Sequence, residues 1–251
     1  MERFRRKISI LGKGEFGNYL YTFIKKNHTD NVQCISLRGK NHIEILEKIK
    51  SSKVIIDCMD RNIIDLDTER LNFIEKIRNE ICIKNDIFYV YLSSSNVYKD
   101  SIDEINEDGE VAEFDQFNYE QNKILVERYL IEKLNIQNLL ILRMPTLWHL
   151  EMNNGSFMGD LLSSFKNKEE LKPRLGDEKI ISYIHIKNAA EILFNLYLNN
   201  YYGINNVSTE EWSSRQNLKL KIKNKKNLIG KKIITKNYDY KSFINKKFTL
   251  L

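Results

Sequence analysis

Two rhythms of apolar and polar residues alternate along this chain. Short runs rich in β-branched and aromatic residues recur: KISIL, VQCISL, KVIIDCM, IFYVYLSS and NLLILRM. Between them lie longer stretches with apolar residues three and four apart. In HIEILEKIKSS these fall at positions 43, 45, 46 and 49. The first rhythm predicts strands and the second helices. Helices are expected at 15–27, at 67–83 and across FNYEQNKILVERYLIEKLN. Strands alternating with helices imply right-handed crossovers and a parallel sheet covered on both faces, with ligands bound beyond the carboxyl ends of its strands. After Pro145 the alternation loosens. SFMGDLLSSFKN reads as a helix, ISYIHI as a strand and NAAEILFNLYLNN as a helix, and no repeat or flexible linker interrupts them.

Composition narrows the class. A chain of 251 residues with 42% hydrophobic content can bury one large core. Cys34, Cys58 and Cys82 are scattered without metal-ligand spacing, so reduced, buried thiols in a cytoplasm are expected, and no metal site. The basic start ends in the short apolar run ISIL, too brief for a signal peptide, and no segment is long enough to span a membrane. The net charge of +6 is uneven, because from Arg215 onward only Asp239 opposes a run of lysines. That basic end could serve a nucleic acid or a membrane. However, LKLKIK alternates as a half-buried strand would, and no aromatic ladder or recognition helix accompanies it. A solvated face, or a rim that attracts a small anion, accounts for it, so neither nucleic acid nor membrane is an expected partner.

The first strand carries the sharpest local signal. ISILGKGEFGNYL places Gly12, Gly14 and Gly17 directly after a strand and at the start of a helix. In that context the spacing predicts a dinucleotide loop. Gly12 allows the turn, Gly14 lets backbone approach a pyrophosphate, and Gly17 lets the helix pack on the sheet. Glu15 and Phe16 belong to the same cofactor-binding loop. The second strand ends in SLRGK, where an NAD-preferring fold carries an acid for the ribose. Arg38 stands there instead, with Lys40 behind it. A guanidinium can fork onto a 2′-phosphate, which favours NADP(H). An exposed loop arginine with no ligand is the competing reading, and NAD(H) stays open.

Four tyrosines have a lysine four residues later: Tyr21, Tyr119, Tyr129 and Tyr183. Only Tyr119 follows a strand ending in serines, FYVYLSSS, and opens a long helix. Lys123 lies one turn on, on the same face. A phenol with an ordinary pKa of about 10 is a poor acid at neutral pH, and an adjacent ammonium stabilises its phenolate. Ser94 is placed to hydrogen-bond a carbonyl oxygen. Ser94, Tyr119 and Lys123 are therefore the candidate catalytic residues.

In FYVYLSSSNVY, YEQNKILVERYL, LILRMPTLW and ISYIHIKNAAEIL the chain resembles the extended short-chain dehydrogenases/reductases, a family of NAD-dependent epimerases, dehydratases and nucleotide-sugar reductases. The match takes in Glu127, Arg143 and Pro145. YGINNVST and, weakly, YDYKSFINKKF extend it toward the end of the chain. The resemblance implies an α/β Rossmann-type doubly wound sheet with a small interleaved carboxyl-terminal substrate lobe. Residues 1–146 would bind NAD(P) and 147–251 the substrate, with about 180–207 returning to the sheet. It implies that Lys123 also holds the nicotinamide ribose, that Met144 to Leu147 line the nicotinamide, and that Cys58 and Met59 lie by the adenosine. It also implies a homodimer through the helices at 67–83 and 119–135.

Departures from the family pattern matter. The glycine loop is one residue shorter than usual. Ser95 and Asn96 stand where the dehydratases carry acids, which argues against elimination of water. Ile181 and Asn188 replace an arginine and an aspartate, and Lys172, Arg174 or the basic tail could substitute for that arginine. The leading expectation is an NAD(P)H-dependent oxidoreductase that reduces a nucleotide-linked 4-keto sugar. The alternatives are a nucleotide-sugar epimerase holding NAD tightly and a non-catalytic NAD(P)-binding regulator.

Overall fold

The computed structural model describes residues 6–28, 31–59, 68–84, 86–113, 118–149, 157–167, 179–208, 212–214 and 230–237. LKLKIK, YDYKSFINKKF, Lys172 and Arg174 lie outside them.

The predicted alternation forms. Strand β1 (Ile8–Leu11) leads into helix α1 (Glu15–Asn27), then β2 (Val32–Ile35), α2 (His42–Ile49), β3 (Val54–Asp57), α3 (Thr68–Cys82), β4 (Phe88–Ser94), α4 (Tyr119–Lys133) and β5 (Leu139–Met144). There follow β6 (Thr146–Trp148), α5 (Phe157–Asn167), β7 (Ile180–His185), α6 (Ile186–Leu198), β8 (Gly203–Asn206), β9 (Trp212–Ser214) and β10 (Gly230–Lys231). Asn41 starts α2 by accepting the Glu44 N–H at 3.0 Å while its amide donates to the Glu44 carboxylate at 3.1 Å, a reciprocal cap. Asn118 starts α4 by accepting the Gln121 N–H at 2.7 Å, which fixes Tyr119 in the first turn.

The chain divides into two compact units. The first comprises Met1–Ser94, Glu113–Arg143 and Leu193–Asn205. Its six-stranded sheet runs β2-β1-β3-β4-β5-β8, with β1 parallel to both β2 and β3, and β3 parallel to β4. Every residue of β1, β3, β4 and β5 is buried, as expected for a sheet covered on both faces. The strand order reverses between β1 and β3, so the crevice for a ligand opens at their carboxyl ends. The sheet ends at β2, giving the shorter of the two common doubly wound orders. One helix, α2, carries the chain from β2 straight back to β3 on the other side of β1. Ile45 and Ile49 of α2, Ile74, Ile77 and Ile81 of α3, and Val126 and Leu130 of α4 close one face over Ile55, Tyr89 and Tyr91.

The second unit comprises Ser95–Ala112, Met144–Ile192 and Asn206–Leu251. Here β7 pairs in parallel with β6 and β10 and antiparallel with β9. Glu107 gathers this unit. Its carboxylate accepts the Asn206 N–H at 2.9 Å, the Lys236 N–H at 3.1 Å and the Thr235 hydroxyl.

His28, at the end of α1, packs its ring 5.2 Å from Phe23 and 4.3 Å from Phe194. Burial pushes its pKa down from 6.5 to about 4. The unfolded chain therefore takes up this proton first as pH falls. His28 costs no stability above pH 6.5, and stability drops between 6.5 and about 4. Urea midpoints at about pH 7.5 and about pH 5 should show a smaller loss for His28→Leu than for the parent.

Candidate active site

The glycine loop is set by contacts that leave no room for side chains. Gly12 donates its N–H to the Ile35 carbonyl at 3.0 Å and holds φ at +103°. A β-carbon on Gly12 would fall 2.5 Å from the Cys58 carbonyl oxygen, and one on Gly17 would fall 2.1 Å from the Gly12 carbonyl oxygen. Two glycines thus weld β1, β3 and α1 together at the point where the strand order reverses. Gly14 differs. It is the N-cap of α1, with no side-chain cap, and nothing lies within 4 Å of where its β-carbon would be. Gly14 is exposed at the helix N-terminus, where backbone N–H groups and the helix dipole suit an anionic group. Of the other loop residues, Glu15 is exposed and Phe16 is buried.

Arg38 is exposed just beyond β2, followed by Gly39 at φ +67° and half-buried Lys40. Cys58 is half-buried and donates its N–H to the Leu11 carbonyl at 2.8 Å. Met59 is buried, with its N–H on the Asp57 carboxylate at 2.9 Å. The three cysteines are free thiols, but only Cys82 is fully buried, short of the burial expected for all three. Burial raises the pKa of Cys34 and of Cys82 to about 11, which keeps both protonated.

Helix α4 brings Tyr119 and Lys123 together against the carboxyl end of β4. Lys123 is 3% exposed. Its ammonium donates to the Leu92 carbonyl at 2.6 Å and lies 5.4 Å from the centre of the Tyr119 ring and 4.9 Å from that of Tyr91. Tyr119 itself is half-buried, so the pair combines a sheltered cation with a phenol that solvent still reaches. The other three Tyr-x-x-x-Lys pairs lack this arrangement. Lys25, Lys133 and Lys187 are all exposed. Ser94 is buried at the last position of β4, two residues beyond the carbonyl that holds Lys123. Its neighbour Ser93 donates to Glu127, and Glu127 pairs with Arg143 of β5 through bonds of 3.2 and 2.7 Å. This buried bridge ties α4 to β5 one turn past Lys123. Met144 is buried at the end of β5 and Leu147 is half-buried in β6, both in the second unit.

Sequence reasoning missed Tyr91, whose ring Lys123 shares, and the buried Asp57–Arg78 pair. Two signals were available. Asp57 is an acid inside an otherwise apolar strand, and Arg78 falls among the apolar positions of α3.

No family model matches this sequence, and no curated protein matches it. Solved structures do match. The UDP-N-acetylglucosamine 4-epimerase from Methanobrevibacter ruminantium M1, in complex with UDP-N-acetylmuramic acid, aligns over 96% of this chain and 92% of its own, with TM-score 0.70 and 14% identity. A dTDP-glucose 4,6-dehydratase from Bacillus anthracis, in complex with NAD, covers 93% and 85% with TM-score 0.67 and 12% identity. A hypothetical dTDP-4-dehydrorhamnose reductase from Sulfolobus tokodaii covers 92% and 86% with TM-score 0.63 and 19% identity. The chain has the Rossmann-type α/β fold of these proteins along nearly its whole length.

Proposed function

We propose that this protein is an NAD(P)H-dependent reductase of a nucleotide-linked 4-keto sugar. The observation that carries the reading is the buried Lys123 ammonium against the Tyr119 ring, held by a β4 carbonyl at the ligand end of the sheet. Support also comes from the fold shared with nucleotide-sugar epimerases, a dehydratase and a reductase. The residues present fit a nicotinamide dinucleotide: the open backbone at Gly14 and the first turn of α1 would hold its diphosphate, and Lys123 its ribose. Such a cofactor, when bound, would supply a hydride to the carbonyl carbon. Tyr119 then gives its phenolic proton to the oxygen as charge builds there, and Lys123 stabilises the phenolate that remains until solvent returns the proton. Ser94 holds the carbonyl oxygen in line. The reading includes a homodimer through α3 and α4, supported by the exposed Leu125 and Ile131 on α4.

Arg38 is read as the anchor for a 2′-phosphate. Arg38→Asp should weaken NADPH binding far more than NADH binding in a fluorescence titration. Equal loss of both would remove the NADP preference. The epimerase alternative is tested by the absorbance of the purified protein. A reductase exchanges its cofactor and should emerge without it, whereas an epimerase should carry NAD through purification.

A further inference from the structure

Asp57 is wholly buried at the carboxyl end of β3. One carboxylate oxygen accepts the Met59 N–H at 2.9 Å. The other accepts the Arg78 Nε–H at 2.8 Å and the Tyr89 hydroxyl at 2.7 Å. Arg78 is 3% exposed, and its guanidinium lies 5.4 Å from the centre of the Tyr91 ring. The Lys123 ammonium lies 4.9 Å from the centre of that same ring. Two cations from two helices therefore share one tyrosine, and the first of them is held in place by an acid from the strand beside the glycine loop. Apolar side chains could fill this space with less desolvation, so stability alone does not call for an ion pair here.

We infer that the buried Asp57–Arg78 pair is a positioning element for Lys123: it orients the Tyr91 ring on which the ammonium rests and balances the charge beside it. The inference builds on the reading of Tyr119 and Lys123 as proton donor and partner. A cation on an aromatic face is held by the ring quadrupole, so the placement of Tyr91 helps to place Lys123. The pairing also has an electrostatic consequence. With Asp57 present, Arg78 adds little net field at the phenol. With either partner removed, a whole unit charge stands uncompensated beside the Tyr91 ring that Lys123 shares. Among the described residues, the other buried charged groups around α4 are Glu127 and Arg143, which neutralise each other. The neighbouring titratable groups are Tyr89 and Tyr91 of β4 and Cys82 of α3. Burial holds the Tyr89 hydroxyl well above its usual range and the Cys82 thiol at about 11.

The test needs no substrate. Protein labelled with carbon isotope in its tyrosine rings is titrated by nuclear magnetic resonance, with the Tyr119 signal identified by its loss in Tyr119→Phe. Asp57→Asn leaves Arg78 uncompensated and should lower the Tyr119 titration. Arg78→Met leaves Asp57 uncompensated and should raise it. Because a lone buried charge can unfold the chain, the double variant, which has neither charge, is measured as well. Its shift should be smaller than that of either single variant, and Arg78→Lys should titrate like the parent. Shifts of one sign in both single variants, no shift in Asp57→Asn, or a double variant that moves at least as far as the single ones would overturn the inference. The reading of the site fails separately, if Tyr119→Phe reduces a nucleotide-linked 4-keto sugar as fast as the parent.

Discussion

Tyr119→Phe should lower the rate of carbonyl reduction by about 10²–10⁴, the usual scale for loss of a general acid. The change removes only the hydroxyl. The ring stays beside Lys123, so the thermal midpoint should hardly move. Tyr129→Phe is the control. It keeps a Tyr-x-x-x-Lys pattern on the same helix, but it lies ten residues on, roughly 15 Å along the axis. Its side chain packs against the core under α3 and α4, so turnover should survive. A Tyr129→Phe variant that lost activity while Tyr119→Phe kept it would move the site elsewhere.

Breaking the Glu127–Arg143 bridge should give a large loss of stability. Both side chains are almost fully buried, at 4% and 5% exposure, and Ser93 adds a third bond to the carboxylate. Arg143→Met strands a carboxylate inside the sheet layer, and removal of one partner of such a pair costs about 3–5 kcal/mol. Urea denaturation should show the midpoint fall accordingly. The double variant Glu127→Leu Arg143→Met leaves no charge unpaired and should recover most of that loss. If the double variant were as unstable as the single one, the bridge would matter through its shape and not its charge.

Much of this architecture can be read from the sequence because it follows short-range rules. The glycine loop is legible because Gly12 and Gly17 must lack a β-carbon, so the fold leaves its mark on residue type. Tyr119 and Lys123 are legible because one helical turn separates them and a serine-ended strand precedes them. The burial that distinguishes Lys123 from Lys25, Lys133 and Lys187 is a tertiary property, and the four pairs look alike until position in the fold is considered. The strands β6, β9 and β10 span two or three residues each, too few for any periodicity to register. The end of the first sheet at β2 depends on which side of β1 the chain returns to after α2, and no local pattern records that choice. Asp57 and Arg78 are 21 residues apart, and their pairing exists only once β3 and α3 are packed.

The proposed reaction is hydride transfer to a sugar ketone with Tyr119 supplying the proton. It is tested most directly by incubating the protein with NADPH deuterated at the transferable position and a nucleotide-linked 4-keto sugar, then weighing the product by mass spectrometry. The product should carry one deuterium on the former carbonyl carbon, one cofactor should be oxidised per product formed, and both should be lost together in Tyr119→Phe. Product that forms without deuterium, or at an unchanged rate in Tyr119→Phe, would contradict it.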